Sequence, residues 1–269
     1  MPAPLFTDAK PFVVGAIHVG ALPGTPDSRA GVDELSELAA REAEAYASGG
    51  VDAIIVENMH DVPYLRGEAV GPEIVASMAL VGRAVKAAAR LPVGVQILAG
   101  ANRAALAVAH AAGLDFVRVE GFAFAHVADE GWIDSSAAEL LRYRRSINAE
   151  RVQIWADVKK KHSAHAVTAD VSLGETAAAV EFMRADAVIV SGSATGRPPR
   201  PEDVREAREH CRLPVLLGSG VDPDNVSDFH PSADGLIVGS YFKRHGHWAE
   251  TVDPRRVETL MNAVRRLRG

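Results

Sequence analysis

The chain has 269 residues, 48% of them hydrophobic, which is a size and composition typical of one α/β domain with a substantial buried core. Its 29 lysines and arginines are outnumbered by 35 aspartates and glutamates, so the net charge is −6. This acidic balance, without a dense basic stretch, argues against a nucleic-acid partner.

Cysteine content and hydropathy indicate the compartment. A single cysteine excludes an internal disulfide and a multi-cysteine metal cluster, as is typical of a reducing environment. No apolar run approaches the roughly 18 residues of a membrane-spanning helix, and no signal-type segment precedes the first aliphatic run. We therefore expect a cytoplasmic protein without a transmembrane segment.

Short aliphatic runs alternate along the chain with longer amphipathic segments. The runs that read as strands are residues 12–17, 53–56, 93–98, 116–119, 152–155, 187–190, 215–217 and 236–238. Each interval is long enough for a crossover helix, and helix-start signals fall between the runs: Pro72 and Pro201 at first-turn positions, and Ser136 with Glu139 as a capping box. Eight alternating units predict a (βα)8 TIM barrel that occupies residues 1–269 as a single domain.

A faint internal repeat supports the barrel. Aspartates open the second, fourth, sixth and eighth strands, at Asp52, Asp115, Asp186 and Asp234. An Arg-Leu-Pro-Val segment also precedes both the third and the seventh strand. Such phasing is expected of two half-barrels with a shared pattern. No Gly-x-Gly-x-x-Gly motif follows an early strand, which disfavours a doubly wound dinucleotide fold.

Ionisable residues follow several of the predicted strands. Active sites of such barrels lie at the carboxyl ends of the strands, so His18, Glu57, Glu120 and Asp157 are candidate catalytic residues. A carboxylate directly after a buried strand needs either a partner or a chemical role, which makes Glu57 and Asp157 the first candidates for proton transfer. An ion pair with Arg118 or a lysine is the alternative for both. His18 is either a titrating catalytic group or a loop cap.

A basic run follows the fifth strand at residues 159–161. A lysine there, Lys161 among them, can bind phosphate, neutralise a developing negative charge or form a Schiff base, although three consecutive lysines cannot all point inward. His162 is a further catalytic candidate, and an exposed basic loop is the alternative for the whole run. His162 and His165 with Asp157 could bind a divalent metal, which is an alternative, but their spacing matches no strict metal-ligand motif, so we expect neither a metal nor another cofactor.

Small residues end the last three strands. The candidate phosphate-binding residues are Gly192, Gly218, Ser219, Gly220, Gly239 and Ser240. In this fold the loops after the seventh and eighth strands commonly bind phosphate through backbone N–H groups. Glycines that merely form turns are the alternative, and the loop at 191–201 is either a lid or a surface loop. Arginines of the C-terminal segment, Arg256 included, alternate with apolar residues and are predicted to form a solvated helix face without function.

Several of these stretches resemble the BtpA/SgcQ family. The matching segments are His18 with residues 22–26, then 52–58, 116–119, 141–145, 156–158 with Lys161 and His162, 186–192 with 195–196, and 214–240. The resemblance implies a cytoplasmic barrel similar to phosphate-binding barrel enzymes, in a family partly named for photosystem I biogenesis. Residues 96–100 and 120–124 depart from the family pattern, at positions where a changed substrate or reaction would show.

Two functions follow as hypotheses. The first is an enzyme acting on a phosphorylated small molecule, a sugar phosphate or a phosphoribosyl or nucleoside-type compound, by general acid/base chemistry at the barrel mouth. Isomerase or epimerase, lyase and N-glycosidase reactions all stay open. The second is a non-catalytic assembly factor for a membrane protein complex, which predicts an exposed apolar patch outside the barrel. Homo-oligomer formation is possible in either case.

Overall fold

The computed structural model describes residues 5–6, 10–192 and 194–269, so Ser193 in the 191–201 loop lies outside the described residues. The barrel strands are β1 Phe12–His18, β2 Ala53–Glu57, β3 Val93–Gln96, β4 Phe116–Val119, β5 Gln153–Val158, β6 Ala187–Val190, β7 Val215–Leu217 and β8 Gly235–Val238. They form a closed barrel in which every neighbouring pair is parallel and β8 returns to β1. The predicted (βα)8 barrel is confirmed.

Helices follow most of the strands. They are α1 Val32–Gly49, α2 Pro72–Ala89, α3 Asn102–Ala112, α4 Ala137–Ser146, α5 Leu173–Phe182, α6 Pro201–His210 and α7 Pro254–Arg268. Pro72 and Pro201 lie in first turns, as predicted. Between β7 and β8 the expected crossover helix is replaced by a 3₁₀ turn, Val226–Phe229. There the Asp222 carboxylate accepts two backbone N–H groups from the residues that follow it, which forms a tight turn instead of a helix.

The capping box predicted at the start of α4 is wrong. Ser136 is the N-cap residue, but its hydroxyl donates to the carbonyl of Gly121 and accepts from the side-chain amide of Asn102. The hydroxyl is thus used to join two loops of the barrel mouth. A reciprocal capping box forms instead at the start of α5, between Ser172 and Glu175.

Four aspartates hold the base of the barrel. Each of these strand-base aspartates accepts the N–H of a residue at the start of the preceding strand at 2.7–2.9 Å: Val13 to Asp52, Val93 to Asp115, Ile154 to Asp186 and Val215 to Asp234. Each also pairs with a cation, namely Arg268, Lys86, Arg144 and Arg208. The recurrence noticed in the sequence therefore has a structural reason, because each carboxylate fixes the register of one odd and one even strand.

The barrel interior is apolar below and polar above. Phe116 and Trp155 stack inside the barrel with ring centroids 3.7 Å apart, and aliphatic residues of the other strands surround them. A small antiparallel sheet that the sequence did not predict, His126–Ala128 with Gly131–Ile133 and Ser163–Ala164, lies in the loops after β4 and β5. In the part of the chain that the structure describes, no helix combines the length and apolarity needed to cross a membrane.

Candidate active site

Arg118 lies at the centre of the barrel mouth. Its Nε and Nη2 atoms donate to the two carboxylate oxygens of Asp157 at 2.8 and 2.9 Å, and its Nη1 donates to Glu57 Oε1 at 3.3 Å. Ser191 Oγ adds a hydrogen bond to Asp157 at 3.2 Å. Burial opposes the charge of Arg118, but the two carboxylates outweigh it and raise its pKa above the ordinary value. Asp157 is thus occupied with holding Arg118, as the ion-pair alternative anticipated.

Glu57 and His18 lie side by side at the ends of the neighbouring strands β2 and β1. His18 Nε2 lies 3.7 Å from Glu57 Oε2, and both side chains are buried. A carbonyl can only accept, so the 2.7 Å contact of His18 Nδ1 with the carbonyl oxygen of Trp248 places the proton on Nδ1 and leaves a lone pair on Nε2. Burial, with a contribution from Lys243, lowers the pKa of His18 well below its usual value. Burial raises the pKa of Glu57, although Arg118 opposes that shift. A neutral imidazole and a readily protonated carboxyl are thus adjacent.

The three consecutive lysines have three different environments. Lys159 Nζ donates to two backbone carbonyls of the following loop, and Lys160 Nζ lies 3.3 Å from Glu120 Oε2. Lys161 is half-buried, and its amine makes no hydrogen bond or ion pair with any described residue. Burial first, and the charge of Arg118 second, lower the pKa of Lys161. Of the run, Lys161 alone faces the cavity described below.

Glu120 and His162, two predicted catalytic residues, lie beside that cavity. Glu120 accepts the backbone N–H of Gly100 at 3.0 Å and so ties the loop after β4 to the loop after β3. His162 is exposed, and its Nε2 accepts the backbone N–H of Thr195 at 3.2 Å. This contact joins the loop after β5 to the loop after β6. Both side chains support loops in this structure.

The metal alternative involved Asp157, His162 and His165. Asp157 binds Arg118, His162 contacts Thr195, and His165 Nε2 contacts the carbonyl oxygen of Lys160. Within residues 5–6, 10–192 and 194–269, no group of three or more His, Cys, Asp or Glu side chains is arranged to hold a metal ion.

One cavity of about 240 Å³ joins the acid/base residues to the glycine-rich strand ends. The ionisable residues in its lining include His18, Glu57, Arg118 and Lys161, and the small residues beside them are Gly218, Ser219, Gly220, Gly239 and Ser240. The backbone N–H groups of Gly220, Gly239 and Ser240 find no acceptor among the described residues. His18, Glu57 and Lys161 of the predicted catalytic residues, and all predicted phosphate-binding residues except Gly192, therefore line one cavity.

Gly192 serves the loop rather than the cavity. A Cβ at Gly192 would lie 2.2 Å from the carbonyl oxygen of Arg197, and one at Gly220 would lie 2.0 Å from the nitrogen of Pro198. Ser219 Oγ donates to the same Arg197 carbonyl at 3.0 Å. The loop after β6 is therefore seated closely against the end of β7, and Gly192 does not line the cavity.

Arg256 is a cavity residue that the sequence analysis assigned to a solvated face. Its guanidinium lies 4.3 Å above the ring of Tyr241, its Nε donates to the Tyr241 carbonyl, and it lines the cavity near Ser240. Barrel helices begin at the mouth, and Arg256 is in the first turn of α7. That position, two residues after Pro254, was the signal available in the sequence.

The loop that follows β8 is anchored by a buried ion pair. Lys243 is fully buried and donates to Glu42 Oε2 at 2.9 Å, while Glu42 Oε1 accepts the backbone N–H of Val252 at 2.9 Å. The pair clamps both ends of the segment that presents the Trp248 carbonyl to His18. The sequence carried no local signal for this role.

A wider cleft of about 560 Å³ lies beside the mouth. It is bordered by Arg66, Trp132 and the first turns of α3 and α4. None of the predicted catalytic or phosphate-binding residues lines it. The smaller cavity is therefore the candidate active site.

Comparison with known proteins identifies relatives over the whole chain. The model of the BtpA family matches residues 9–266. An uncharacterized mitochondrial protein of Caenorhabditis elegans is 49% identical over 269 residues, covering 98% of this chain and 96% of that protein. The photosystem I biogenesis protein BtpA of Synechocystis is 38% identical over 253 residues, covering 94% of this chain and 87% of its own.

Solved structures with the same fold are more distant. Thiamine phosphate pyrophosphorylase from Pyrococcus furiosus aligns with a TM-score of 0.57 at 16% identity, covering 96% of each chain. Orotidine 5'-phosphate decarboxylase from Pyrococcus horikoshii aligns with a TM-score of 0.57 at 14% identity, covering 94% of this chain and 99% of its own. Both are similar to this chain in fold alone.

Proposed function

The chain belongs to the BtpA family, and from the geometry of its mouth we propose that it is an enzyme that acts on a phosphorylated small molecule by acid/base chemistry. The observation that carries the proposal is one cavity lined both by Glu57 and His18 and by Arg256 and backbone N–H groups that have no acceptor among the described residues. The N–H groups and Arg256 suit an anion, and Glu57 and His18 suit proton transfer. A substrate held by its phosphate would present its reacting carbon to the acid/base pair.

The proposed anion site consists of Arg256 and of backbone donors that have no acceptor among the residues that the structure describes. Gly220, Gly239 and Ser240 each offer a backbone N–H group, and Arg256 adds a fixed positive charge. Phosphate oxygens accept such charge-assisted hydrogen bonds strongly. Asp222, an acidic neighbour in the lining, is turned toward the backbone of its own turn, which limits its repulsion of an anion.

The acid/base end rests on Glu57 and His18. The raised pKa of Glu57 makes it a proton donor at a higher pH than an ordinary carboxyl, and neutral His18 offers a lone pair on Nε2. Sugar phosphates and phosphoribosyl compounds both fit this description. Isomerisation or epimerisation, aldol-type cleavage and N-glycosidic hydrolysis each require such proton transfers. The two solved enzymes are named for phosphorylated compounds, but the phosphate in this proposal rests on the cavity.

A second candidate comes from the relative named as a photosystem I biogenesis protein, which is 38% identical to this chain. An assembly factor needs a docking surface, and exposed apolar side chains do occur in the mouth loops at Leu65, Phe124, Val127 and Trp132. Such a role would not need the buried charges of the cavity. The cytoplasmic location that the sequence predicts stays a proposal, and the worm relative is named as mitochondrial.

Phosphate titration tests the enzyme proposal. Calorimetry would measure the binding of inorganic phosphate and of ribose 5-phosphate to the wild type and to Arg256→Met, with the exposed Arg255→Met as the matched control on the same helix turn. A hydrogen bond to a charged group contributes about 1.5–3 kcal/mol, so Arg256→Met should weaken binding by about 10- to 150-fold. Arg255→Met should bind as the wild type does. Equal binding by both variants, or no binding by the wild type, would overturn the proposal.

A further inference from the structure

The lysine run after β5 ends in one amine that has no hydrogen-bond or ion-pair partner among the described residues. Resting on the proposed function, we infer that Lys161 is a catalytic lysine that forms an imine with a carbonyl carbon of the substrate. The phosphorylated substrate would then be a ketose or aldose phosphate, or a related carbonyl compound. The inference narrows the proposed chemistry to reactions that an imine assists.

The first argument is that the neighbouring lysines are already engaged. Lys159 binds backbone carbonyls of its own loop, and Lys160 is buried against Glu120 with Glu130 at 3.9 Å. Lys161 lines the cavity and has no such partner among the described residues. A half-buried lysine with a structural role would be expected to hold a carboxylate or a carbonyl, because removing an unpaired ammonium from water is costly.

The second argument is the local backbone. Lys159 has a φ of 48° and His162 a φ of 54°, both in the left-handed region that residues with a Cβ rarely adopt. Two such residues bracket Lys160 and Lys161. Strained conformations of this kind persist where the surrounding structure fixes them, and they cluster at functional sites. Here they direct adjacent side chains to different places, Lys160 to Glu120 and Lys161 to the cavity.

The third argument is the charge around the amine. An imine-forming lysine must be neutral when it attacks, and a nearby cation with partial burial favours the neutral form. Arg118 supplies that cation, and its position is fixed by the bidentate bond to Asp157. Glu57 and Asp157 act in the opposite direction, but Asp157 is compensated by Arg118. The same arrangement therefore holds Arg118 in place and favours the nucleophilic form of Lys161.

The proposed step balances without any further reactant. The Nζ lone pair of Lys161 forms a C–N bond to the carbonyl carbon, and the carbonyl oxygen takes up two protons and leaves as water as the C=N bond forms. The amine loses one hydrogen, which ends on the oxygen, and Glu57 supplies the second proton that the water carries away, so the imine keeps one hydrogen on its nitrogen and is protonated. Glu57 can donate a proton to the oxygen, and His18 Nε2 can accept one from the nitrogen. The protonated imine then withdraws electrons from the neighbouring carbon, which favours epimerisation, isomerisation or aldol-type cleavage over glycoside hydrolysis.

Reductive trapping tests the inference. The protein would be incubated with dihydroxyacetone phosphate or with ribose 5-phosphate, reduced with sodium borohydride, and analysed by intact mass and peptide mapping. We expect a reduced adduct on Lys161 in the wild type and in Lys159→Arg, the matched control in the same run. Lys161→Arg should lose the adduct while its circular dichroism spectrum and its titration with inorganic phosphate remain those of the wild type.

The outcomes separate this inference from the proposed function. Adducts of equal yield in Lys161→Arg and the wild type, or adducts mapped to other lysines, overturn the imine. Binding of inorganic phosphate without an adduct from either compound also overturns it but leaves the phosphate proposal in place. An adduct on Lys161 in a protein that does not bind phosphate supports the imine and overturns the phosphate proposal.

Discussion

Replacing Asp157 with asparagine should destabilise the protein far more than replacing Glu57 with glutamine. Both carboxylates contact Arg118, but Asp157 accepts two of its N–H groups and a hydroxyl of Ser191, whereas Glu57 accepts one N–H at 3.3 Å. Asparagine would replace one carboxylate oxygen with an NH2 group, so two hydrogen-bond donors would face each other at the guanidinium. A glutamine at position 57 keeps an oxygen that can still accept from Arg118.

The expected difference can be estimated from these contacts. Removing one partner of a buried ion pair lowers the free energy of unfolding by about 3–5 kcal/mol. Because Arg118 keeps its contact with Glu57, Asp157→Asn should cost about 3 kcal/mol. Glu57→Gln loses only the charged part of one hydrogen bond and should cost about 1 kcal/mol. In a large single domain each kcal/mol of lost stability lowers the thermal unfolding midpoint by about 2–4 °C, so Asp157→Asn should lower it by about 6–12 °C.

Thermal and urea unfolding followed by circular dichroism would measure the stability of both variants, with Ser191→Ala as a control that removes a single hydrogen bond at 3.2 Å.

The pH dependence of the free energy of unfolding is a second test. Burial raises the folded-state pKa of Glu57, so its protonated form favours the folded protein. The wild type should gain stability relative to Glu57→Gln as the pH falls from neutral through that raised pKa. Equal stability of Asp157→Asn and Glu57→Gln would refute the roles assigned to the two carboxylates.

Three further predictions concern the loops, the histidine and the barrel base. Gly220→Ala should cost more than about 1 kcal/mol, because φ is +75° and the new Cβ would lie 2.0 Å from the nitrogen of Pro198; an unchanged urea midpoint would contradict this. Nitrogen NMR should find the proton of His18 on Nδ1, toward Trp248. Because burial lowers its pKa, His18 should still be neutral at pH 6. A titration midpoint near the ordinary value of about 6.5 would contradict the observed packing. Asp234→Asn should cost about 1–3 kcal/mol, because the carboxylate accepts a strand N–H and pairs with two cations, and a stability equal to the wild type in urea would exclude that role.

The fold was readable from the sequence because its causes are local. Strands in a parallel barrel are covered on both faces, so they appear as short continuous aliphatic runs, and Asp52, Asp115, Asp186 and Asp234 mark their phase. The errors arose where a residue had a distant partner. Ser136 has the spacing to Glu139 of a capping box, but its hydroxyl forms hydrogen bonds with residues of other loops. No local sequence pattern indicates those partners.

The candidate site was predicted as a set of positions rather than as a set of contacts. Glu57 and His18 directly follow their predicted aliphatic runs, so the rule that barrel active sites lie at the carboxyl ends of the strands placed them at the mouth. That rule could not tell that Asp157 would bind Arg118 on both oxygens, because this depends on side chains of different strands. Arg256 was missed because helical spacing describes which face of a helix is exposed, whereas its role comes from the end of the helix on which it lies.

The strand-base aspartates divide the barrel into four clasped pairs, β1 with β2, β3 with β4, β5 with β6, and β7 with β8. A break in the chain between β4 and β5, in the turn near residue 148, would leave every clasp inside one fragment. A break between β3 and β4 would separate Asp115 from the N–H that it accepts. Two-fragment complementation should therefore succeed at the first position and fail more often at the second, so a hydrogen-bond pattern at the floor of the molecule marks where the gene tolerates division.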